Sequence, residues 1–181
     1  MVQIYECRPS IEDDRPQIDF EDFENSINDW LLIGEVINGT KPIGDFPMVS
    51  VTVRDPDATN WDCYRDGGIR GLFSERFVEA IGRSSFIGLT LLPAMLNGIP
   101  YYFLRCDQPI DCFHRSKASF ETFRSDPMAI KRITHFAFQE NLVPTNGCFC
   151  IPETVALLLT ETVVERLNAA KLKGIHIIAA P

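Results

Sequence analysis

The sequence predicts an α+β domain, with a mainly antiparallel or mixed sheet and a few helices packed beside it. Three observations lead there. Short runs rich in β-branched and aromatic residues, such as Met48-Val-Ser-Val-Thr-Val53 and Tyr101-Tyr-Phe-Leu-Arg-Cys106, recur between glycine, proline and aspartate markers. One helix-glycine-strand unit occurs twice. Finally, 181 residues, 45% of them hydrophobic, make one ordinary domain that needs no metal or disulfide to hold a core. The expected organisation is a single domain over 1–181, with an acidic part at 1–69 and the main core at 70–181.

Taken in order, Val2 to Cys7 reads as a strand, and Pro9 and Pro16 bracket an acidic loop. Phe20, Phe23, Ile27, Trp30 and Leu31 fall at helical spacing, although Trp30-Leu-Leu-Ile33 also suits the start of a strand. Gly39, Pro42, Gly44 and Pro47 mark a loop before the strand Met48 to Val53. Turns are expected at Asp55 to Asn60 and Asp66 to Gly68, on either side of Trp61.

The repeat aligns Leu72-Phe-Ser-Glu-Arg-Phe-Val-Glu-Ala-Ile81 and Gly88-Leu-Thr-Leu-Leu92 with Leu158-Leu-Thr-Glu-Thr-Val-Val-Glu-Arg-Leu167 and Gly174-Ile-His-Ile-Ile178. Ser74 and Thr160 are the expected N-caps, with Glu75 and Glu161 at the positive end of each helix dipole. Phe77, Val78 and Ile81, like Val163, Val164 and Leu167, form the apolar stripe. Gly174 is expected to close the second helix in a left-handed conformation, and Gly88 to serve likewise in the first. Between the units, Ile99 to Cys106, Ala129 to Phe138 and Cys148 to Ile151 read as strands, the last two joined by a hairpin turn at Asn146-Gly147.

Charge is unevenly divided. Residues 1–62 hold 14 acidic residues against 4 basic, a balance of −10, whereas residues 63–181 hold 11 against 13, a balance of +2. A negative field of this kind repels nucleic acid and anionic lipid and attracts basic partners. Asp13, Asp14, Glu21 and Asp22, interleaved with Phe20 and Phe23 and followed by Trp30 and Trp61, are the candidate partner-binding residues. A solvated, solubilising face is the plainer use of the same charges.

The N-terminus carries no basic region followed by an apolar one, and no apolar run reaches the ~20 residues a spanning helix needs. A cytoplasmic protein with six free cysteines is therefore expected. Cys112-x-His114 and Cys148-x-Cys150 are too closely spaced to suit tetrahedral zinc, so neither metal nor cofactor is expected. No nucleophile elbow, phosphate loop, dinucleotide fingerprint or zinc-protease helix motif occurs. An enzyme would have to use Cys112 and His114 with carboxylates such as Asp107, Asp111 or Glu121, and a homodimer pairing through a sheet edge is a further alternative.

Several segments together resemble a bacterial family of immunity proteins from polymorphic toxin systems, the eleventh in its numbered series. They are Leu72 to Ile81, Leu91-Leu-Pro93, Tyr101-Tyr-Phe-Leu104, Ile110-Asp-Cys-Phe-His-Arg-Ser116, and the stretch from Phe149 through Val163-Val-Glu-Arg-Leu167 to Lys173-Gly174-Ile175. The resemblance covers residues 70–181 well and the first third loosely. It implies a non-enzymatic α+β protein that binds a cognate toxin and blocks it. The acidic first third would suit a basic, nuclease-like toxin.

Overall fold

The structure, a computed structural model, describes residues 3–9, 18–20, 27–46, 49–53, 60–64, 71–154 and 156–180. It is an α+β fold, as the sequence predicts. In chain order the elements are β1 (Ile4–Pro9), β2 (Ile18–Phe20), α1 (Ile27–Ile37), β3 (Val49–Val53), β4 (Cys63–Tyr64) and β5 (Leu72–Ser74). Then follow α2 (Glu75–Ile81), β6 (Leu89–Leu96), β7 (Ile99–Cys106), β8 (Ser119–Thr122), β9 (Ile130–His135) and β10 (Cys148–Phe149). The chain closes with β11 (Leu157–Thr160), α3 (Glu161–Ala170) and β12 (Ile175–Ala179). The expected turn at Asp66 to Gly68, and all but Asn60 of the one at Asp55 to Asn60, lie outside the described residues.

One sheet has the order β10-β11-β1-β12 and the other β2-β3-β6-β7-β5-β4, while β8 and β9 form a separate ribbon. Most pairs are antiparallel, and β3 with β6 is parallel. Alternation along each strand decides what each face covers. In the smaller sheet Cys7, Leu157, Leu159 and Cys148 join Phe73, Phe77, Val78, Ile81, Leu104, Val163 and Leu167 in one core. That core is the layer in which α2 and α3 lie between the two sheets. On the far side of the larger sheet, Ile33, Val36 and Ile37 of α1 pack on Val49, Val51, Leu92, Leu96 and Phe103. On the far side of the smaller sheet, Ile4, Leu158 and Phe149 meet Phe113 and Phe136, with Phe120 and Ile133 of the ribbon against them. Each large apolar side chain fully buried in these layers contributes about 1.5–3 kcal/mol over leaving it in water.

The repeat has a structural counterpart that differs from the expected one. It is a strand-helix-strand unit: β5-α2-β6 in the larger sheet and β11-α3-β12 in the smaller. In each, the two strands run parallel to one another with a third strand, β7 or β1, inserted antiparallel between them. Ser74 caps α2, its Oγ accepting from the Phe77 N–H at 3.1 Å. Thr160 occupies the same place before α3, but its hydroxyl accepts from the Gly147 N–H at 3.0 Å instead. Each helix receives an arginine from the other near its C-terminal end, where exposed carbonyls favour a cation. Arg166 donates to the Ile81 carbonyl at 2.9 Å, and Arg76 to that of Ala170 at 3.3 Å.

The glycines do not end the helices. Gly82 terminates α2 and Lys171, at φ +49°, terminates α3. Gly88 and Gly174 do have positive φ, +64° and +78°, but they stand just before β6 and β12. Their Cβ positions are filled by other chain segments: the Gln108 carbonyl at Gly88, and the Trp61 ring and Cys63 carbonyl at Gly174. The Asn146-Gly147 hairpin is also corrected. Strands β9 and β10 belong to different sheets, and Gly147 exchanges backbone and side-chain bonds with Thr160. The tight hairpin is at Asn97-Gly98, where φ is +49° and +77° and Leu96 pairs directly with Ile99.

Candidate functional site

Of the expected partner-binding residues, Asp13, Asp14, Glu21, Asp22 and Phe23 lie outside the described residues. Phe20 falls on β2 and Trp30 on α1, and only their backbones are described. Trp61 is the one whose surroundings are given. Its backbone is clamped by two tyrosines, with the Tyr101 hydroxyl donating to the Trp61 carbonyl at 2.7 Å and the Trp61 N–H donating to the Tyr64 hydroxyl at 3.1 Å. The two rings meet edge to face at 5.7 Å, and burial pushes both phenols above their ordinary range. Half-buried Trp61 lines a pocket of about 210 Å³ with Asp62, Ser74, Glu75, Arg76, Ile99 and Tyr101.

Asp62 organises that corner. Its carboxylate, 2% exposed as a residue, accepts from the Ser74 hydroxyl at 2.7 Å and the Lys173 N–H at 2.9 Å, and pairs with Arg76 at 3.2 Å. Buried charge needs this degree of pairing and hydrogen bonding to be tolerated. One carboxylate thus joins the approach to β4, the start of α2 and the turn into β12, and the turn brings Gly174 under the Trp61 ring. Of the lining residues, Ile99 is 51% exposed. Next to it, Glu75 accepts from Tyr102 at 2.5 Å and pairs with Arg83 at 2.6 Å, while the Arg83 guanidinium also lies 5.1 Å from the Tyr102 ring centre. The Tyr102 hydrogen bond, ahead of the arginine, holds the Glu75 carboxyl below its usual range. Exposed Ile99, half-buried Trp61 and surface Arg76 line the pocket together, and tryptophan and arginine are residue types that anchor protein contacts. Sequence reasoning named Trp61 alone among them.

Five of the six cysteines are buried in the core, and Cys106, half-buried, lines a cleft beside β9. Cys112 is fully buried among Phe113, Phe136 and Ile151, and burial raises its thiol to about 11. A nucleophilic cysteine needs the opposite shift. His114 is half-buried and its Nδ1 lies 3.2 Å from the Ser116 hydroxyl. Burial also raises Cys7 to about 12 and pushes Cys148 up further. Among the described residues no three His, Cys, Asp or Glu side chains are grouped to hold a metal ion, and no helix is long and apolar enough to cross a membrane.

A cleft of about 440 Å³ runs along β9 and is lined by Asn38, Ile130, Lys131, Arg132, Pro152 and Glu153, among others. Glu153 has one carboxylate oxygen buried without a hydrogen-bond partner, and that burial raises its carboxyl. No protein-family model matches the chain, and no curated protein is significantly similar to it. The function must therefore be argued from charge and geometry.

Proposed function

We propose that the protein is an immunity protein, which neutralises a cognate basic toxin by binding it and performs no chemistry of its own. The carrying observation is the concentration of charge: a balance of −10 within the first 62 residues, in a chain whose remainder is nearly neutral. Such a field accelerates encounter with a basic partner, while affinity comes from a few desolvated anchors. Trp61, at the end of the acidic third, and Ile99 of β7 line one pocket and supply anchors of the right kind. The buried, protonated Cys112 favours this reading over a thiol enzyme. The resemblance of residues 70–181 to toxin-immunity proteins points the same way.

The test begins with the neighbouring genes, where this reading expects a large toxin reading frame, and continues with co-expression of the toxin domain found there. Growth should be restored and a stable complex recovered. Replacing Asp13, Asp14, Glu21 and Asp22 together with Asn or Gln should slow association and flatten its dependence on salt. A complex whose on-rate ignores both salt and these substitutions refutes the electrostatic basis, and lack of rescue refutes the function.

A further inference from the structure

We propose a second interaction surface: the outer edge of β12 accepts an extended segment of a partner protein whose side chains alternate between apolar and acidic. Three features of the strand lead to this occupant. Among the described residues, β12 pairs with β1 on one side and has no strand on the other. Its sequence, Ile175-His-Ile-Ile-Ala179, carries no lysine, proline or bulge of the kind that blunts edges against pairing. At ~3.4 Å per residue, five residues offer roughly 17 Å of backbone to an added strand.

The two faces of this edge differ in chemistry, and alternation would deliver alternate side chains to each. On the helix side, Ile175 and Ile177 form a groove of about 210 Å³ with Leu167 and Leu172, with Asn168 and Lys171 also lining it. On the opposite side, Ile178 opens into a cleft of about 430 Å³ that contains Arg8, Lys131 and Arg132, with Glu6 as the one carboxylate among its described residues. Glu6 is already engaged by Arg8 through two bonds of 2.7 Å. Lys131 stands 3.9 Å from Glu121, and Arg132 makes no ion pair with any described residue. An added strand would place apolar side chains against Leu167 and Leu172, and carboxylates toward Lys131 and Arg132. A second copy of β12 cannot do this, because that strand contains no acid. Charge complementarity therefore selects a partner segment over a homodimer.

The experiment uses the full chain and two labelled ten-residue probes, one alternating Val and Glu and one alternating Val and Lys, read by fluorescence anisotropy at low salt. The Val-Glu probe should bind at least tenfold more tightly. Methylating its alternate backbone amides in one phase should abolish binding, and in the other phase should leave it, since only one set of amides faces β12. The Lys131→Glu, Arg132→Glu double variant, checked for folding by circular dichroism, should reverse the preference between the probes. Absent or equal binding of the two probes, indifference to both methylation phases, or a preference unaltered by charge reversal overturns the proposal. So does a concentration-dependent dimer that the Val-Glu probe disperses, which would assign the edge to a second copy.

Discussion

Gly174 and Gly98 have nearly the same backbone, φ +78° and +77°, in very different surroundings, and the pair isolates what crowding contributes. A Cβ at Gly98 would meet nothing within 4 Å. One at Gly174 would run into the Trp61 ring and stand 2.6 Å from the Cys63 carbonyl oxygen, a backbone atom that cannot swing aside. Gly98→Ala should cost about 1–2 kcal/mol, the strain of an L-residue in the left-handed region. Gly174→Ala carries that strain plus about 1–3 kcal/mol of overpacking. The excess of Gly174→Ala over Gly98→Ala corresponds to roughly 2–12 °C in Tm for a chain of this size. Urea denaturation followed by tryptophan fluorescence reports it directly, because Trp61 is the group displaced. Equal destabilisation by the two substitutions would refute the claim that Gly174 exists for close approach.

Asp62→Ala should destabilise by about 1–3 kcal/mol or more, since it leaves the buried Ser74 hydroxyl and the Lys173 N–H without their acceptor, and calorimetry would measure it. The raised thiols give a pH dependence at the alkaline end. Cys7 and Cys112 stay protonated in the folded chain to about 12 and about 11, whereas in the unfolded chain they ionise near 9. Stability from this source is complete below pH 9 and falls as pH rises toward 12, so urea midpoints should decline over that window, and less so in Cys7→Ala measured against its own neutral-pH midpoint. Glu153 behaves in the same sense in the acid range. Its raised carboxyl favours folding below the unfolded value of 4.5, an advantage lost as pH rises through the folded value. Glu153→Gln should therefore be at least as stable as the parent at pH 7 and lose that advantage at pH 4 in parallel denaturation series.

The strands were legible wherever apolar density and flanking breakers coincided, as at Val49–Val53 and Ile99–Cys106. The capped start of α2 was legible for the same local reason, since Ser74 and its N–H partner at Phe77 are three residues apart. Connections were less readable because they depend on which of two similar signals wins. The chain contains Asn-Gly at 97–98 and at 146–147. Only the first has strands abutting it on both sides, Leu96 directly facing Ile99, whereas Gln139 to Thr145 separate the second from the preceding strand-like run. The glycine phase of the repeat was real but its cause was misread. A left-handed Lys171 ends α3 at the expense of some strain, and Gly174 is required by Trp61 and Cys63, more than a hundred residues earlier. No local pattern announces such a neighbour. Asp62 was invisible for a similar reason: its partners Ser74, Arg76 and Lys173 stand 12, 14 and 111 residues away.

Charge counted along the chain and charge grouped by the fold call for opposite partners. The acidic first third suits a basic protein, whereas the cleft beside β12 gathers Arg8 from that third with Lys131 and Arg132 from the ribbon, and suits an acidic strand. If both readings hold, the two surfaces must respond independently to substitution. On two separate surfaces, neutralising Asp13, Asp14, Glu21 and Asp22 should slow association with the toxin and leave the affinity of the Val-Glu probe within about twofold. Reversing Lys131 and Arg132 should reverse the probe preference while leaving the on-rate for the toxin within the same margin. Stopped-flow association and anisotropy on the same two variants decide the matter. Loss of both activities in either variant would mean one continuous interface in place of two, and the toxin itself would then supply the added strand.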